Sequence, residues 1–438
     1  MLDNDSPLTG TDRTVVIVGT GVAGATAALT LRAEGFDGRV VLVGEEPEEP
    51  YRRPPLSKDV LRGSMPPERT RLKPSGTWSD QGIELLPGTR VTALDVQARE
   101  VQLVPAAGTA PSGGRRLRYD RLLLAPGGRP RWLPGAGRTA PQPHVHTLRT
   151  LADVPALQAD LTPGAHLLVV GAGLVGAEVA ASARALGCDV TLLEAAPTPL
   201  PRLLPPVLAA GYAGLHRAHG VTLHTGVHLE RLDGTAGSGV VATATDGRRW
   251  RADAALVAVG MVPRVGLAAR AGLAVDTDGP GGILVDAYGR TSEAGVYAAG
   301  DAANQPNLTL GGRQRVEHWQ HGQETGAAAA RSILGRGSPY ATIPWCWSDQ
   351  YGVNLQFSGW PAVGAATRWV VRGDLDGFDF TALFVREHRL VGAVAANRPG
   401  ELRAARRLIE VGAHADLSAL ADPGSDLTAL AAAAPVSG

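Results

Sequence analysis

The stretch TVVIVGTGVAG (residues 14–24) decides the fold. Five β-branched residues, Thr14 to Val18, favour an extended strand. They run without a spacer into glycines at 19, 21 and 24. An Ala/Leu-rich stretch with helical spacing follows, ATAALTLRAEG (25–35), and then a second apolar strand, RVVLVGEE (39–46). Strand, tight glycine turn, helix and strand form the context that a dinucleotide fingerprint requires. Gly19 permits the tight turn, Gly21 lets backbone N–H groups approach a pyrophosphate, and Gly24 lets helix and strand pack closely. The positive end of the helix then faces the phosphates. Glu45 ends the second strand, where a carboxylate can accept hydrogen bonds from a ribose. A glycine-rich turn that binds no nucleotide is the alternative reading.

The pattern occurs again in HLLVVGAGLVGAEVAASARALGCDVTLLEAAP (166–197), with a strand at Leu167–Val170, glycines at 171, 173 and 176, and a second strand, Val190–Leu193, ending in Glu194. The separation suits two domains rather than a solenoid repeat. Two fingerprints imply two dinucleotides, one retained and one exchanging. Glu194 is followed by Ala-Ala-Pro and has no adjacent Arg, so a 2′-phosphate is repelled there and NADH is favoured over NADPH.

The 438 residues leave room for two to four domains. Lys plus Arg number 42 and Asp plus Glu 42, which argues against a nucleic-acid coat or a polybasic membrane anchor. Lys58 and Lys73 are the only lysines, so a Lys is informative in this Arg-rich chain. Residues 1–12 carry no basic or apolar targeting pattern, and no apolar run approaches the ~18 residues a membrane span needs. The expectation is a cytoplasmic protein with no membrane span and no nucleic-acid partner. Residues 423–438 look like a frayed tail.

At this level of detail the chain resembles the FAD-containing NADH-dependent ferredoxin reductases, within the glutathione-reductase-like flavoproteins. The resemblance runs from about residue 13 to about 415. It is carried by PYRRPPLSK (50–58), YDRLLLAPGGRPR (119–131), the second fingerprint, RTSEAGVYAAGDAAN (290–304), RVEHWQHG (315–322) and PWCWSDQYGVNLQFSG (344–359). It implies an α/β architecture: two Rossmann-like domains, for FAD and NADH, plus a C-terminal α+β domain. The expected boundaries are 13–125 with 255–330 for FAD, 126–254 for NADH and 331–420 for the C-terminal domain, with tails at 1–12 and 421–438.

The resemblance also implies roles. Asp301, in a Gly-Asp turn, binds the FAD chain, although such a residue by itself is ordinarily a helix cap. Arg53 is a further FAD-binding candidate. Lys58 stands beside flavin N5, paired with Glu178 on the first turn of the second fingerprint helix. The helix after RVEHWQHG points its N-terminus at the flavin, with Trp319 against the ring. Trp345, Trp347, Asp349 and Gln350 lie in the most specific C-terminal motif, as packing or as functional residues. Hydride then passes from NADH to FAD, and single electrons pass to an acidic 2Fe–2S ferredoxin serving a cytochrome P450 or a Rieske oxygenase. Arg52, Arg53, Arg62, Arg69, Arg71, Arg313 and Arg315 are candidate docking charges, with FAD phosphates as the alternative partner for some of them. The chain is expected to be a monomer or a homodimer.

Two cysteines, Cys188 and Cys346, are the only thiols, and residues 51–65 lack the redox Cys of disulfide reductases. Thiol–disulfide chemistry is therefore not expected. Pro126, Arg264 and Cys346 depart from the usual motifs and leave room for a specialised member. Two other classes stay open: a flavin oxidoreductase acting on a small molecule, quinone or oxygen, and a signalling flavoprotein resembling apoptosis-inducing factor.

Overall fold

The computed structural model describes residues 8, 10–107, 114–133, 142–360, 367–414 and 416–433. Its contacts group the chain into two units, Met1–Arg52 with Thr70–Arg129 and Val262–Pro344, and Arg53–Arg69 with Pro130–Met261 and Trp345–Gly438.

The first unit is built on five parallel strands in the order Val296–Ala298, Arg121–Leu124, Thr14–Val18, Arg39–Val43, Ile83–Leu86. A sheet covered on both faces needs apolar side chains pointing both ways, and these strands are near-continuous Val, Ile and Leu. Val15 and Ile17 face one core with Ala25, Leu31, Leu123 and Tyr297. Val16 and Val18 face a second core with Val41, Leu122, Leu124 and Val296. The helices Val22–Ala33 and Trp319–Ile333 pack against each other through their smallest residues. A Cβ on Gly326 would lie 2.2 Å from the Ala23 carbonyl oxygen, and one on Gly322 2.9 Å from Val22. The alanine- and glycine-rich composition is thus what lets the two backbones touch. A three-stranded antiparallel sheet, Thr89–Asp95, Glu100–Pro105 and Arg115–Arg118, belongs to the same unit.

The second unit repeats the parallel arrangement in the order Val221–His224, Asp189–Leu193, His166–Val170, Ala254–Val257, Val145–His146. It also contains a five-stranded antiparallel sheet in the order Trp345–Gln350, Val353–Gly359, Arg389–Ala396, Asp379–Arg386, Arg368–Asp374, followed by the helix Pro399–Glu410. Phe357, Phe380, Phe384 and Val394 from that sheet share a core with Leu204, Leu208 and Tyr212. The fold class is therefore the expected one: two Rossmann-like sheets and a C-terminal α+β segment.

The C-terminus differs from the expected frayed tail. Leu427–Ala433 is a helix with Leu427 and Ala431 buried. Arg372 explains the order: its guanidinium is buried, and it donates to the carbonyls of Leu420 at 3.1 Å and Ser425 at 2.7 Å. A buried guanidinium needs acceptors, and the chain after residue 420 supplies them. Residues 434–438, and 1–7 and 9 of the expected N-terminal tail, lie outside the described residues. Among the described residues no helix is long and apolar enough to cross a membrane.

Two glycine substitutions separate close approach from open space. Gly326→Ala forces a methyl group into a carbonyl and should cost roughly 1–3 kcal/mol, as overpacking does. Gly211→Ala, in the helix Pro206–Ala218 with nothing within 4 Å of its Cβ, should gain about 0.5–1 kcal/mol. Urea unfolding midpoints check both signs.

Candidate functional site

Each Rossmann sheet ends in a glycine turn whose three positions do different work. Gly19 has φ +116°, and a Cβ there would sit 2.1 Å from the Ala125 carbonyl oxygen. Gly24 would meet the Gly19 carbonyl at 1.9 Å, so the helix rests directly on the turn. Gly21 is different, with nothing within 4 Å of its Cβ. The second unit has the same three values in kind. Gly171 has φ +104° and a contact of 2.6 Å to Ala258, Gly176 meets Gly171 at 2.0 Å, and Gly173 faces open space. Gly21 and Gly173 cap their helices with no side-chain bond, and neither first turn holds an acidic residue: Glu178, expected on the first turn, opens the second turn of Leu174–Ala185, because the helix begins at Leu174. The middle glycine of each turn thus has open space beside it at the positive end of a helix with orphan N–H groups, which suits a phosphate. A dinucleotide fits both cradles.

The acidic strand ends are held differently. Glu194 takes the Ala172 N–H at 2.7 Å on one oxygen and the Ala196 N–H at 2.8 Å on the other. Its carboxylate is therefore fixed against the glycine turn itself. Glu45 pairs with Arg90 at 2.7 Å and with Arg264 at 2.6 Å. Burial pulls its pKa up, but the Arg264 and Arg90 charges outweigh burial and hold the carboxyl below its ordinary value. Arg264, a departure from the usual motif, thereby has a structural place as a partner of Glu45.

Elsewhere in the first unit, Asp301 sits in the turn Gly300–Ala302, where Gly300 takes φ +70° and donates its N–H to Thr325 at 3.0 Å. The helix Trp319–Ile333 starts beside it, and Trp319 is half-buried. His318 and His321 both have pKa values pushed down to about 4 by burial, against the opposing pull of Asp301. His321 contacts the Tyr340 hydroxyl at 3.0 Å. One docking expectation is corrected here. The Arg315 side chain is only 7% exposed and pairs with Glu317 at 2.5 Å, so it is internal and offers no charge to a partner. Arg62 and Arg71 remain at the surface, paired with Asp59 and Glu49.

In the second unit the Lys58 ammonium lies 2.7 Å from Glu178, and both side chains are buried. Two elements bring them together. Pro54 and Pro55 stiffen the short turn Pro54–Ser57 that precedes Lys58. The helix Leu174–Ala185 presents Glu178 and, one turn later, Ser182, which donates to the Ser57 carbonyl at 2.8 Å. Gln158 ties the same segment down through the Val60 and Leu61 carbonyls. The remaining lone pairs of Glu178 are taken by the hydroxyls of Ser57 at 2.5 Å and Ser348 at 2.6 Å. A buried ion pair needs such added donors to offset desolvation. Arg53, the residue before this turn, donates to the Arg149 carbonyl.

Ser57 and Ser348 were not among the candidates read from sequence, and Gln350 had no stated role. The strand Trp345–Gln350 alternates, with Cys346, Ser348 and Gln350 buried and Trp345, Trp347 and Asp349 turned the other way. Two polar residues on the buried face of a strand are the signal that marks them. Trp345 and Trp347 stack on the other face, with centroids 5.2 Å apart. Cys188 and Cys346 are buried and in no disulfide, and burial pushes both thiols up. Among the described residues no cluster could hold a metal ion.

Known proteins are similar to this chain in sequence and in fold. The model of the pyridine nucleotide-disulphide oxidoreductase family matches residues 13–326, and that of the reductase C-terminal domain matches residues 345–431. The ferredoxin–NAD(+) reductase component of the anthranilate 1,2-dioxygenase system of Burkholderia cepacia is 40% identical over 412 residues, 93% of this chain and 97% of that one. Putidaredoxin reductase of Pseudomonas putida is 35% identical over 398 residues, 90% of this chain and 91% of that one. The solved covalent complex of putidaredoxin reductase with putidaredoxin matches at a TM-score of 0.89 and 34% identity, over 97% of this chain and 99% of that one. The chain belongs to the pyridine nucleotide-disulphide oxidoreductase family, among its ferredoxin–NAD(+) reductases, for which FAD and NAD(H) are the cofactors.

Proposed function

We propose that the protein is an NADH-dependent reductase of a 2Fe–2S ferredoxin that serves a Rieske-type oxygenase or a cytochrome P450. One observation carries the reading. Two cradles shaped for dinucleotides lie in a chain whose only thiols are buried. With no accessible dithiol, electrons leave without thiol chemistry. The relatives that span nearly the whole chain support the choice of acceptor, since their names place them in oxygenase systems.

On this reading Gly19, Gly21, Gly24, Glu45, Arg53, Asp301 and Trp319 hold FAD, and Gly171, Gly173, Gly176 and Glu194 hold NADH. The corresponding domains are 13–125 with 255–330, 126–254, and a C-terminal 331–420, and the setting is cytoplasmic. Bound FAD would supply the conversion of a two-electron hydride into single-electron transfers. Lys58 contributes one compact positive charge, fixed by Glu178, for the negative charge that develops during reduction. Glu194 sets the coenzyme preference. Its oxygens already take two backbone N–H groups, so its charge is fixed where a ribose hydroxyl can donate and a 2′-phosphate is repelled.

NADH-driven cytochrome c reduction tests the acceptor. Adding a 2Fe–2S ferredoxin should stimulate it strongly. No stimulation together with fast oxygen or quinone turnover would replace this reading with a small-molecule oxidoreductase.

Coenzyme choice is tested at Glu194. Glu194→Ala removes a charge-assisted acceptor, so NADH affinity should fall by roughly ten- to a hundredfold, and the NADH/NADPH ratio of kcat/KM should narrow. An unchanged ratio would remove Glu194 from that role.

A further inference from the structure

The second unit contains a buried polar chain that extends well beyond the Lys58–Glu178 pair. Ser348, which donates to Glu178 at 2.6 Å, receives the Gln350 side-chain amide at 2.9 Å. The Gln350 carbonyl oxygen lies 2.8 Å from the Tyr212 hydroxyl and 2.9 Å from His216 Nε2. His216 Nδ1 lies 3.2 Å from the Tyr351 hydroxyl, and His219 stacks on the Tyr351 ring. Glu178, Tyr212, His216, Ser348 and Gln350 are all buried, so none of these groups has water as a ready substitute partner.

The directions of the bonds follow from chemistry. A carboxylate only accepts, so Ser348 must donate to Glu178. Its oxygen is then free to accept, which turns the Gln350 NH₂ towards it and the Gln350 oxygen towards His216 and Tyr212. That oxygen can only accept, so the His216 proton sits on Nε2, 2.9 Å from it, and the bare Nδ1 accepts from Tyr351. Every donor in the chain points towards Glu178. Reversing the amide would make Ser348 donate to Gln350 and leave two oxygen acceptors 2.6 Å apart at Glu178. Burial supports the neutral imidazole, with its pKa pushed down to about 4. The amide in the middle cannot pass a proton while remaining an amide, so the chain orients rather than conducts.

We propose that Ser348, Gln350 and His216 are positioning residues that hold the Glu178 carboxylate in one orientation on Lys58. The C-terminal strand Trp345–Gln350 thereby takes part in building the pair, through Ser348 and Gln350 on its buried face. Tyr212 fixes the same Gln350 oxygen from the helix Pro206–Ala218, where it lies one turn before His216. Lys58, Cys346 and Tyr212 are the other titratable groups near Glu178. Burial keeps the Cys346 thiol and the Tyr212 phenol neutral, which leaves Lys58 as the one charge for Glu178 to meet. The functional part of the proposal rests on the reading of this pair as part of the hydride-transfer site; the orientation of the chain does not.

The holoenzyme labelled with ¹⁵N-histidine tests it, with His216→Asn identifying the resonance. Long-range ¹H–¹⁵N spectra should show His216 as the Nε2–H tautomer, with no titration between pH 8 and about 5.5. Ser348→Ala and Glu178→Gln should each shift that resonance, although neither residue touches His216. Ser348→Thr, which keeps the hydroxyl, should restore the wild-type signal. An Nδ1–H tautomer, or a resonance unmoved by both Ser348→Ala and Glu178→Gln, overturns the chain. Stopped-flow reduction by NADH then reads the function. Ser348→Ala and Gln350→Leu should lower the limiting rate about tenfold, the value of one charge-assisted hydrogen bond, with the NADH Kd within about twofold. A raised Kd with an unchanged limiting rate overturns the positioning role. Shifted spectra with both kinetic constants unchanged uphold the hold on Glu178 and overturn the reading of the pair as the hydride site.

Discussion

A methyl group on Gly24 would lie 1.9 Å from the carbonyl oxygen of Gly19, and one on Gly176 would lie 2.0 Å from that of Gly171. Each Rossmann helix therefore starts in backbone contact with the turn that delivers it. At that point no side chain lies between helix and turn, so backbone packing aims the helix and its orphan N–H groups. The open space beside Gly21 and Gly173 is the complement of that contact. Where the backbone closes on itself at the first and third glycines, it stays clear at the second. The packing of Val22–Ala33 against Trp319–Ile333 extends the same device, because Gly326 brings the second helix onto the Ala23 backbone and Gly322 leaves room for the Val22 side chain.

The Lys58–Glu178 pair follows a different logic. Its side chains are 11% and 6% exposed, so desolvation opposes it. A pair of that kind is a weak source of stability compared with apolar residues of equal volume. Removing one partner, however, strands the other at a cost of about 3–5 kcal/mol. What the arrangement secures is a charge at a fixed place. Three donors surround Glu178, and Lys58 approaches a carboxylate already held by Ser57 and Ser348. That is the arrangement expected where geometry matters more than net stability.

Much of this was legible in the sequence, because the cradles depend on local rules. Thr14–Val18 and the glycines at 19, 21 and 24 encode strand, turn and helix within one short segment, and the second copy does the same. The Lys58–Glu178 pair was legible only through family resemblance, since no local pattern joins residues so far apart in the chain. The helix Leu427–Ala433 was missed because it depends on Arg372, whose burial is a tertiary fact. The docking reading of Arg315 fails for the same reason: an arginine count says nothing of which guanidinium a fold encloses.

Ser348 and Gln350 mark the boundary between those cases. Strand alternation in Trp345–Gln350 could have placed both on the buried face, and a buried serine two residues from a buried glutamine requires partners. Alternation identifies the face but not the partner. The partners come from the helices Leu174–Ala185 and Pro206–Ala218: Glu178 from the first, and Tyr212 with His216, one turn apart, from the second. Two periodicities, 2.0 in the strand and 3.6 in the helices, must be in register with each other for the polar chain to close. Local pattern sets each one separately. Their mutual register is set by the shared core in which Leu208 and Tyr212 meet Cys346, Phe357 and Phe380. The polar chain is thus a by-product of apolar packing, and a core substitution that shifts the C-terminal sheet along the helices would disrupt Glu178 without touching it.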